Sequence, residues 1–383
     1  MFQRPIIGSL AVPAGGRVTR RKGLRRAAYA TPLLTVAIAS TLRVAAARLL
    51  GFRGAHDWPL REELFIVFLR ALLEYGDIAV WRVFFQFVCP NPLKLPPGMR
   101  DAPAALAGSR SVWYELAPEL LPAQPRGRVN MMFIHGGAFI AGFARQYQNT
   151  YVWWLKQLAR RGIAAKILSV EYPLAPEHPY PAARDVVEAE ILWLLEQSGD
   201  TPVIIGGDSA GGNLAVSGLA HLRDTGRLPR PPAGALLISP CVDATGTSIF
   251  SQRDDGGAGR YDYLPRDKLH EGLPFFYSHE LLSPYVSPTR LESFEGLAQQ
   301  EIMTISGEAE LMAPDIRAFA KKVQAASDAS LSSGSPGAFR ATYLEEPGCV
   351  HSWPMLLFPR LRVKQEPMFQ FIDRMSGAPQ LPN

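Results

Sequence analysis

A serine held between two glycines is the feature of this sequence that could do chemistry. The motif Gly-Asp-Ser-Ala-Gly occupies residues 207–211, and it follows an apolar run at 202–205 that is typical of a β-strand. Residues 212–216 are typical of the start of a helix. A serine on so sharp a strand-to-helix turn projects its hydroxyl into a site, and glycines on either side avoid a collision across the turn. The pattern therefore predicts that Ser209 is a nucleophile.

Two glycines upstream could supply backbone donors for such a nucleophile. Residues 131–134 are apolar and predict a strand that runs directly into His-Gly-Gly-Ala-Phe at 135–139. Consecutive glycines let N–H groups turn toward a ligand without obstruction. We predict that Gly136 and Gly137, together with the amide of Ala210, form an oxyanion hole for a tetrahedral intermediate.

Chain order selects the histidine that would act as the base. Of the seven histidines, His221, His270, His279 and His351 follow Ser209. In a fold with the order serine, acid, histidine, the base lies in a loop after a late strand. His221 is about three turns along the predicted nucleophile helix, and His270 and His279 lie in an irregular segment. We therefore predict His351, which follows the last strand-like run.

The acid that would orient the histidine is open among three residues. Residues 301–305 predict a strand, and Glu308, Glu310 and Asp315 follow it. Asp315 falls in the next predicted helix, where a carboxylate also stabilises the N-terminus. The residues alone leave all three in place.

The elements that must position these residues alternate between strand and helix. Strand-like runs occupy residues 111–116, 129–134, 164–170, 202–206, 234–239, 300–305 and 340–344. Helical patterns occupy residues 146–161, 182–197, 210–224 and 313–326. This alternation predicts an α/β fold with a doubly wound, mostly parallel sheet. Residues 244–290 interrupt the alternation and predict either an insertion near the site or a surface loop.

The chain divides into an arm, a cap region and a catalytic domain. Residues 1–56 hold ten Lys or Arg and no acidic residue, and residues 27–47 are almost uncharged. Such an arm predicts a membrane anchor, an interfacial helix or a targeting presequence, with a helix packed on the body as the alternative. We expect a membrane-associated location such as the endoplasmic reticulum, with cytoplasm and mitochondrion as alternatives. Cap helices and a linker are predicted over 57–110, and the catalytic domain over 111–383.

Apolar stretches between residues 60 and 90 could form a lid over the site or pack as core helices. As a lid they would offer these aromatic side chains to the pocket: Phe65, Phe68, Trp81, Phe84, Phe85 and Phe87. The sequence leaves the two arrangements open.

The composition points away from several kinds of partner. The cysteines, Cys89, Cys241 and Cys349, are too few for a disulfide framework and lack metal-ligand spacing. We expect no metal and no organic cofactor. The basic arm contains no recognisable nucleic-acid-binding module, so we expect no nucleic-acid partner.

Three motifs in order resemble the hormone-sensitive lipase family of α/β-hydrolases. They lie at residues 135–139, at 171–181 (Glu-Tyr-Pro-Leu-Ala-Pro-Glu-His-Pro-Tyr-Pro) and at 207–213, and the similarity covers roughly residues 110–375. The branch resembled includes fungal steryl acetyl hydrolases and arylacetamide deacetylases. Ala138 stands where the family usually has a third glycine, and Pro314 replaces a usual acid.

The resemblance implies the α/β-hydrolase fold with an N-terminal helical cap and an ester hydrolase that works through an acyl-enzyme. It aligns Glu310 with the catalytic acid of a sub-branch that carries Glu-x-Leu-x-x-Asp, beside Ser209 and His351. It also implies a small apolar ester substrate, with a short acyl group such as acetyl on a bulky alcohol such as a sterol or secondary metabolite. Acyl transfer on the same triad and a non-catalytic receptor of the same fold are the alternatives. Asp208 and Asn213 are expected to be structural.

Overall fold

Eight strands form a single sheet in the part of the chain that the computed structural model describes. The described residues are 35–36, 38–51, 58–88, 95, 97–246, 261–266, 277–356 and 358–378. The basic residues 17–26, the beginning of the uncharged stretch, Cys89 and His270 lie outside them.

The sheet is mostly parallel. Its strands are β1 (Met99–Pro103), β2 (Val112–Leu116), β3 (Gly127–Ile134), β4 (Ile163–Val170), β5 (Val203–Asp208), β6 (Gly234–Ile238), β7 (Glu301–Gly307) and β8 (Arg340–Glu346). They lie in the order β1-β2-β4-β3-β5-β6-β7-β8. β2 pairs antiparallel with β1 and β4, and the other pairs are parallel. The predicted α/β architecture is confirmed.

Helices cover both faces of this sheet. They are α1 (Leu60–Tyr75), α2 (Ile78–Val88), α3 (Gln148–Arg160), α4 (Ala182–Gln197), α5 (Ala210–Asp224), α6 (Ala313–Ser333), α7 (Pro359–Val363) and α8 (Glu366–Met375). Along β3, the buried Met132 and Ile134 join the core that includes α4, α5 and α6, whereas Met131 and Phe133 join the core that includes α3 and α8. Burial on both faces explains why the central strands are apolar runs without polar alternation.

One strand is absent from the sequence prediction. The sequence indicates a linker before residue 111, whereas β1 already pairs with β2 as the edge of the sheet. Its residues, Met-Arg-Asp-Ala-Pro, show no apolar run, and four of the five are partly or fully exposed. Because only Met99 of this edge strand is buried, neither a hydrophobic run nor an alternation marks it in the sequence.

One arginine of the cap, which is formed by α1 and α2, makes four hydrogen bonds to the sheet domain. Arg82 on α2 donates through Nε to the carbonyl of Ile140 (2.8 Å) and through Nη2 to that of Ala175 (2.9 Å). Its guanidinium also makes two hydrogen bonds to the carboxylate of Glu177, at 2.8 and 2.7 Å. The predicted N-terminal helical cap is therefore present, and it is attached to the 171–181 motif.

The described part of the arm is a helix held against the cap. Residues 35–36 and 38–49 are helical. Arg48 pairs with Glu63 of α1 at 2.6 Å and donates to the carbonyl of Trp58 at 2.8 Å. Several apolar side chains of this arm helix are exposed, namely Ile38, Leu42, Leu49 and Leu50. Among the described residues, we find no helix with the length and apolar character needed to cross a bilayer.

Candidate active site

Ser209 occupies a strained turn between β5 and α5. Its backbone adopts φ 54° and ψ −119°, a conformation rare for a residue with a side chain. A Cβ on Gly211 would lie 2.0 Å from the carbonyl oxygen of Ile134, and one on Gly207 would lie 2.5 Å from the backbone of Gly211. Both glycines are required by close backbone approach, as the sequence predicts. The turn places Ser209 on the wall of a cavity.

His351 is paired with Glu310. The Nδ1 atom of His351 lies 3.0 Å from Oε2 of Glu310, and both side chains are buried. The two competing acids are engaged elsewhere: Glu308 accepts a hydrogen bond from the amide of Gly348 (3.1 Å), and Asp315 belongs to the first turn of α6. The structure therefore places Glu310, among the three acids left open, on the histidine.

The electrostatics favour a charged imidazole. Burial alone disfavours the imidazolium, but the hydrogen bond and charge of Glu310, with the charges of Asp262 and Asp208, raise the pKa of His351 above its usual 6.5. The Nε2 atom makes no hydrogen bond to the described residues, and His351 and Ser209 line the same cavity. Such catalytic contacts often tighten only when substrate binds.

The structure corrects one of the three predicted oxyanion donors. The N–H of Gly136 donates to Oδ1 of Asp208 at 2.8 Å, and Gly136 is absent from the cavity wall. The prediction of Gly136 as a donor is therefore wrong, because its N–H is already used. Gly137, Ala138 and Ala210 line the cavity, and their N–H groups make no hydrogen bond within the described part of the chain. Ala138, not Gly136, therefore has an N–H group available at the cavity beside that of Gly137.

The loop at residues 136–139 is held in an unusual conformation. Ala138 has φ 54°, Phe139 has φ 61°, and a Cβ on Gly137 would lie 2.1 Å from the carbonyl oxygen of Ala141. Left-handed backbone at residues other than glycine costs on the order of 1 kcal/mol each. The stack of Phe139 on Tyr277, with ring centroids 3.7 Å apart, helps to hold it.

His135 supports the same loop as a neutral side chain. Burial lowers its pKa to about 4. Its ring stacks on that of Tyr172, with ring centroids 4.3 Å apart. The hydroxyl of Tyr172 donates to the carbonyl of His135 at 2.9 Å. These contacts give the first residue of the motif a packing role.

Asp208 joins three separate segments. Besides the amide of Gly136, its carboxylate accepts hydrogen bonds from the hydroxyls of Tyr147 (2.8 Å) and Ser352 (3.0 Å). Burial raises the pKa of Asp208, whereas these hydrogen bonds act to lower it. Asn213 has a similar structural role, since its Nδ2 donates to the carbonyls of Cys241 and Val286, which lie at 2.6 and 2.9 Å.

The cavity has a volume of about 410 Å³, and one side of its wall comes from the cap. The cap residues in the wall are Phe65, Leu69, Leu73, Trp81, Phe84 and Phe85. The helices therefore form the lid, the first of the two arrangements left open by the sequence. Phe68 is not in the wall, and the side chain of Phe87 lies outside those described. The wall also contains three polar residues, Gln146, Tyr147 and Asn149.

Part of the 244–290 segment also belongs to the site. Tyr263 and Leu264 line the cavity, and the ring centroids of Tyr263 and His351 lie 5.9 Å apart. The carboxylate of Asp262 contacts the backbone of His351. Sequence reasoning missed all three, because a Gly- and Asp-rich stretch without periodicity gives no signal for individual residues.

The described side chains offer no metal site. No group of three or more His, Cys, Asp or Glu among them could hold an ion. Cys241 lines the cavity and Cys349 is buried elsewhere. Burial raises the pKa of both thiols to about 12, which makes them poor nucleophiles.

We expect Asp208→Ala to lower the free energy of unfolding by about 3 kcal/mol or more, because three buried donors lose their acceptor at once. Asp208→Asn is the matched control, since its amide oxygen can still accept from Gly136 and its NH₂ can donate to the two hydroxyls. Urea unfolding of both variants measures the difference. Equal losses, or a loss below about 1 kcal/mol in Asp208→Ala, would contradict the role given to this carboxylate.

Comparison with known proteins gives the chain its family. Residues 131–344 match the family with the α/β hydrolase fold. An esterase of Acinetobacter venetianus is 32% identical over 237 residues, which cover 60% of this chain and 70% of that protein. An acetyl-hydrolase of Streptomyces hygroscopicus is 37% identical over 124 residues, covering 32% of this chain and 38% of its own.

The hormone-sensitive lipases are also similar. The bovine enzyme (Bos taurus) is 32% identical over 151 residues, which cover 38% of this chain and 18% of that protein. The chain thus spans less than half the length of the Streptomyces acetyl-hydrolase and of the bovine hormone-sensitive lipase. The crystal structure of a hormone-sensitive lipase from a metagenome library aligns with a TM-score of 0.64 at 23% identity, covering 81% of this chain and 97% of that one. The chain belongs to the hormone-sensitive lipase family of α/β-hydrolases.

Proposed function

We propose that this protein is a serine esterase that hydrolyses small carboxylic esters through an acyl-enzyme. The observation that carries the proposal is the buried Glu310–His351 pair on the same cavity as Ser209, which sits on a strained elbow. A nucleophile, a base and an acid that orients the base are what acyl transfer requires. The esterase relatives support the same reaction class.

In the proposed mechanism, Ser209 attacks the ester carbonyl while His351 takes the hydroxyl proton. Glu310 holds the imidazole in the correct tautomer and stabilises the imidazolium that forms. The N–H groups of Gly137, Ala138 and Ala210 stabilise the oxyanion, and each such donor typically contributes about 3 kcal/mol. His351 then protonates the leaving alcohol and activates water to release the acid.

Because only neutral imidazole is a base, activity should rise with pH through the raised pKa of His351.

Ser209→Ala should abolish both turnover of p-nitrophenyl acetate and labelling by a fluorophosphonate probe. Loss of a nucleophile typically lowers kcat by about 10⁴-fold or more. Ser217→Ala is the control, since Ser217 is a buried serine of α5, the helix that follows Ser209, and does not line the cavity. The Ser217→Ala variant should be labelled at the wild-type rate. Labelling of Ser209→Ala, or an inactive wild-type protein, would refute the assignment.

The proposed substrates are short-acyl esters, such as acetates, of a bulky apolar alcohol such as a sterol or secondary metabolite. Support comes from the aromatic cap wall of the cavity and from the acetyl-hydrolase relative. Cavities of a few hundred Å³ lined by aromatic side chains commonly bind apolar small molecules.

Phe84→Ala tests the cap as the binding surface for the bulky group. It should lower kcat/KM for 1-naphthyl acetate and cholesteryl acetate by about tenfold or more, because an apolar ring is lost, and leave ethyl acetate little changed. Val83→Ala, at an exposed position of the same helix, should leave all three rates unchanged. Equal effects on large and small alcohols, or preference for long acyl chains, would contradict this substrate class.

We also propose that the arm binds an anionic membrane surface. Ile38, Leu42 and Leu49 are exposed, and their spacing puts them on one helix face, while residues 1–56 carry ten basic and no acidic side chains. Apolar residues beside basic charge are the pattern by which a helix lies on anionic lipid.

Vesicle sedimentation tests this arm. Wild-type protein should sediment with phosphatidylserine-containing vesicles, and Leu42→Gln combined with Leu49→Gln should weaken binding. Leu282→Gln, an exposed leucine elsewhere on the protein, should have no effect. Absence of binding by the wild type would refute the proposal.

A fluorescent fusion of residues 1–56 would distinguish the endoplasmic reticulum from the cytoplasm and the mitochondrion.

A further inference from the structure

We infer that Asp262 is a positioning residue for the triad, holding the His351 loop and the Glu310 loop to each other and adding its charge to that of Glu310. The inference rests on the proposed esterase function. It concerns a residue in the irregular 244–290 segment that no sequence motif includes.

The geometry shows one carboxylate bridging two loops. Oδ1 of Asp262 accepts a hydrogen bond from the backbone N–H of His351 at 3.2 Å. Oδ2 accepts one from the N–H of Leu311, the residue after Glu310, at 2.8 Å. The side chain is fully buried. This carboxylate therefore joins the loop after β8 to the loop after β7 at the catalytic pair, beside the direct hydrogen bond from the N–H of Ala309 to the carbonyl of Cys349 (2.9 Å).

The negative charge of Asp262 also acts on His351, whose pKa it helps to raise. Burial raises the pKa of Asp262 to about 6, the positive charge of His351 and the N–H of Leu311 act to lower it, and the charge of Glu310 acts to raise it. Two buried carboxylates near each other repel, and this repulsion is relieved when His351 is protonated. Asp262 therefore favours the imidazolium that the reaction creates.

The neighbouring residues connect Asp262 to the substrate cavity. Tyr263 and Leu264 follow it directly in the chain and line the cavity. The Arg70 guanidinium of cap helix α1 donates to the carbonyl of Asp262 at 3.4 Å. The charged groups that act on the histidine and this carboxylate are Glu310 and Asp208, while Arg70 reaches the backbone of Asp262 and Tyr263 is the neighbouring titratable side chain.

Asp262→Asn is the primary test, with p-nitrophenyl acetate as substrate. An amide oxygen can accept from one loop, but the NH₂ group opposes the second N–H, so the loops shift. We expect kcat to fall on the order of 10- to 100-fold with KM within about threefold, since small misplacements of catalytic groups have effects of this size. Because a negative charge near His351 is lost, its pKa falls, and the acid limb of kcat/KM moves to lower pH.

Asp262→Glu separates charge from position. It keeps the carboxylate but moves it by one methylene, so kcat should fall while the acid limb stays near the wild-type pH. This variant carries the test if Asp262→Asn does not fold, which thermal unfolding reports. Asp243→Asn is the matched control: Asp243 directly precedes the 244–290 segment, accepts a hydrogen bond from the N–H of Thr245 and does not line the cavity, so both readouts should be unchanged.

Two results would overturn the inference: wild-type kcat in a folded Asp262 variant, or an acid limb that stays in place in folded Asp262→Asn. Wild-type hydrolysis of the same ester is measured in parallel. An active wild type with unaffected Asp262 variants refutes this inference alone, whereas an inactive wild type refutes the proposed function.

Discussion

The buried carboxylate of Asp208 is the constraint on which the rest of the site depends. It is the last residue of β5 and directly precedes Ser209, so its position is fixed by the sheet. Through hydrogen bonds to Gly136, Tyr147 and Ser352, it holds the loop at residues 136–139, the segment before α3 and the loop of His351 close to Ser209. A buried charge is tolerated only where such donors replace water, and hydrogen bonds to a charged group each contribute about 1.5–3 kcal/mol.

The histidine loop is consequently held from several sides. Ser352 donates from its hydroxyl to Asp208 and from its N–H to Oγ of Ser239, at 3.0 and 2.9 Å, while the N–H of His351 donates to Asp262. Glu310 fixes the imidazole ring itself. The backbone at residues 351 and 352 therefore has little freedom, which is what an imidazole needs in order to meet a hydroxyl with the correct geometry.

The sequence predicts the parts of the site that local pattern determines. Ser209 follows from a turn that only glycine neighbours permit, and His351 follows from chain order. Gly136 shows the limit of this reasoning, because adjacent glycines look equivalent until one N–H is found bonded to Asp208. Asp262 shows another limit, since its role arises from two loops that meet it only in the folded chain. Glu310 required the family resemblance, as the residues alone left three acids.

The cap and the loop at residues 136–139 are connected by hydrogen bonds. Arg82 donates to the carbonyl of Ile140, which follows the loop at residues 136–139, and to the carbonyl of Ala175, whose N–H in turn donates to the carbonyl of Phe139 at 2.9 Å. The Arg82 guanidinium also holds the pKa of Glu177 down at about 2, so that ion pair persists across the working pH of an esterase. A displacement of α2 would have to break these bonds or carry residues 139–140 with it. The helix that shapes the substrate cavity is thus tied to the backbone that would stabilise the oxyanion, so substrate fit at the cap and the geometry of the donors are coupled.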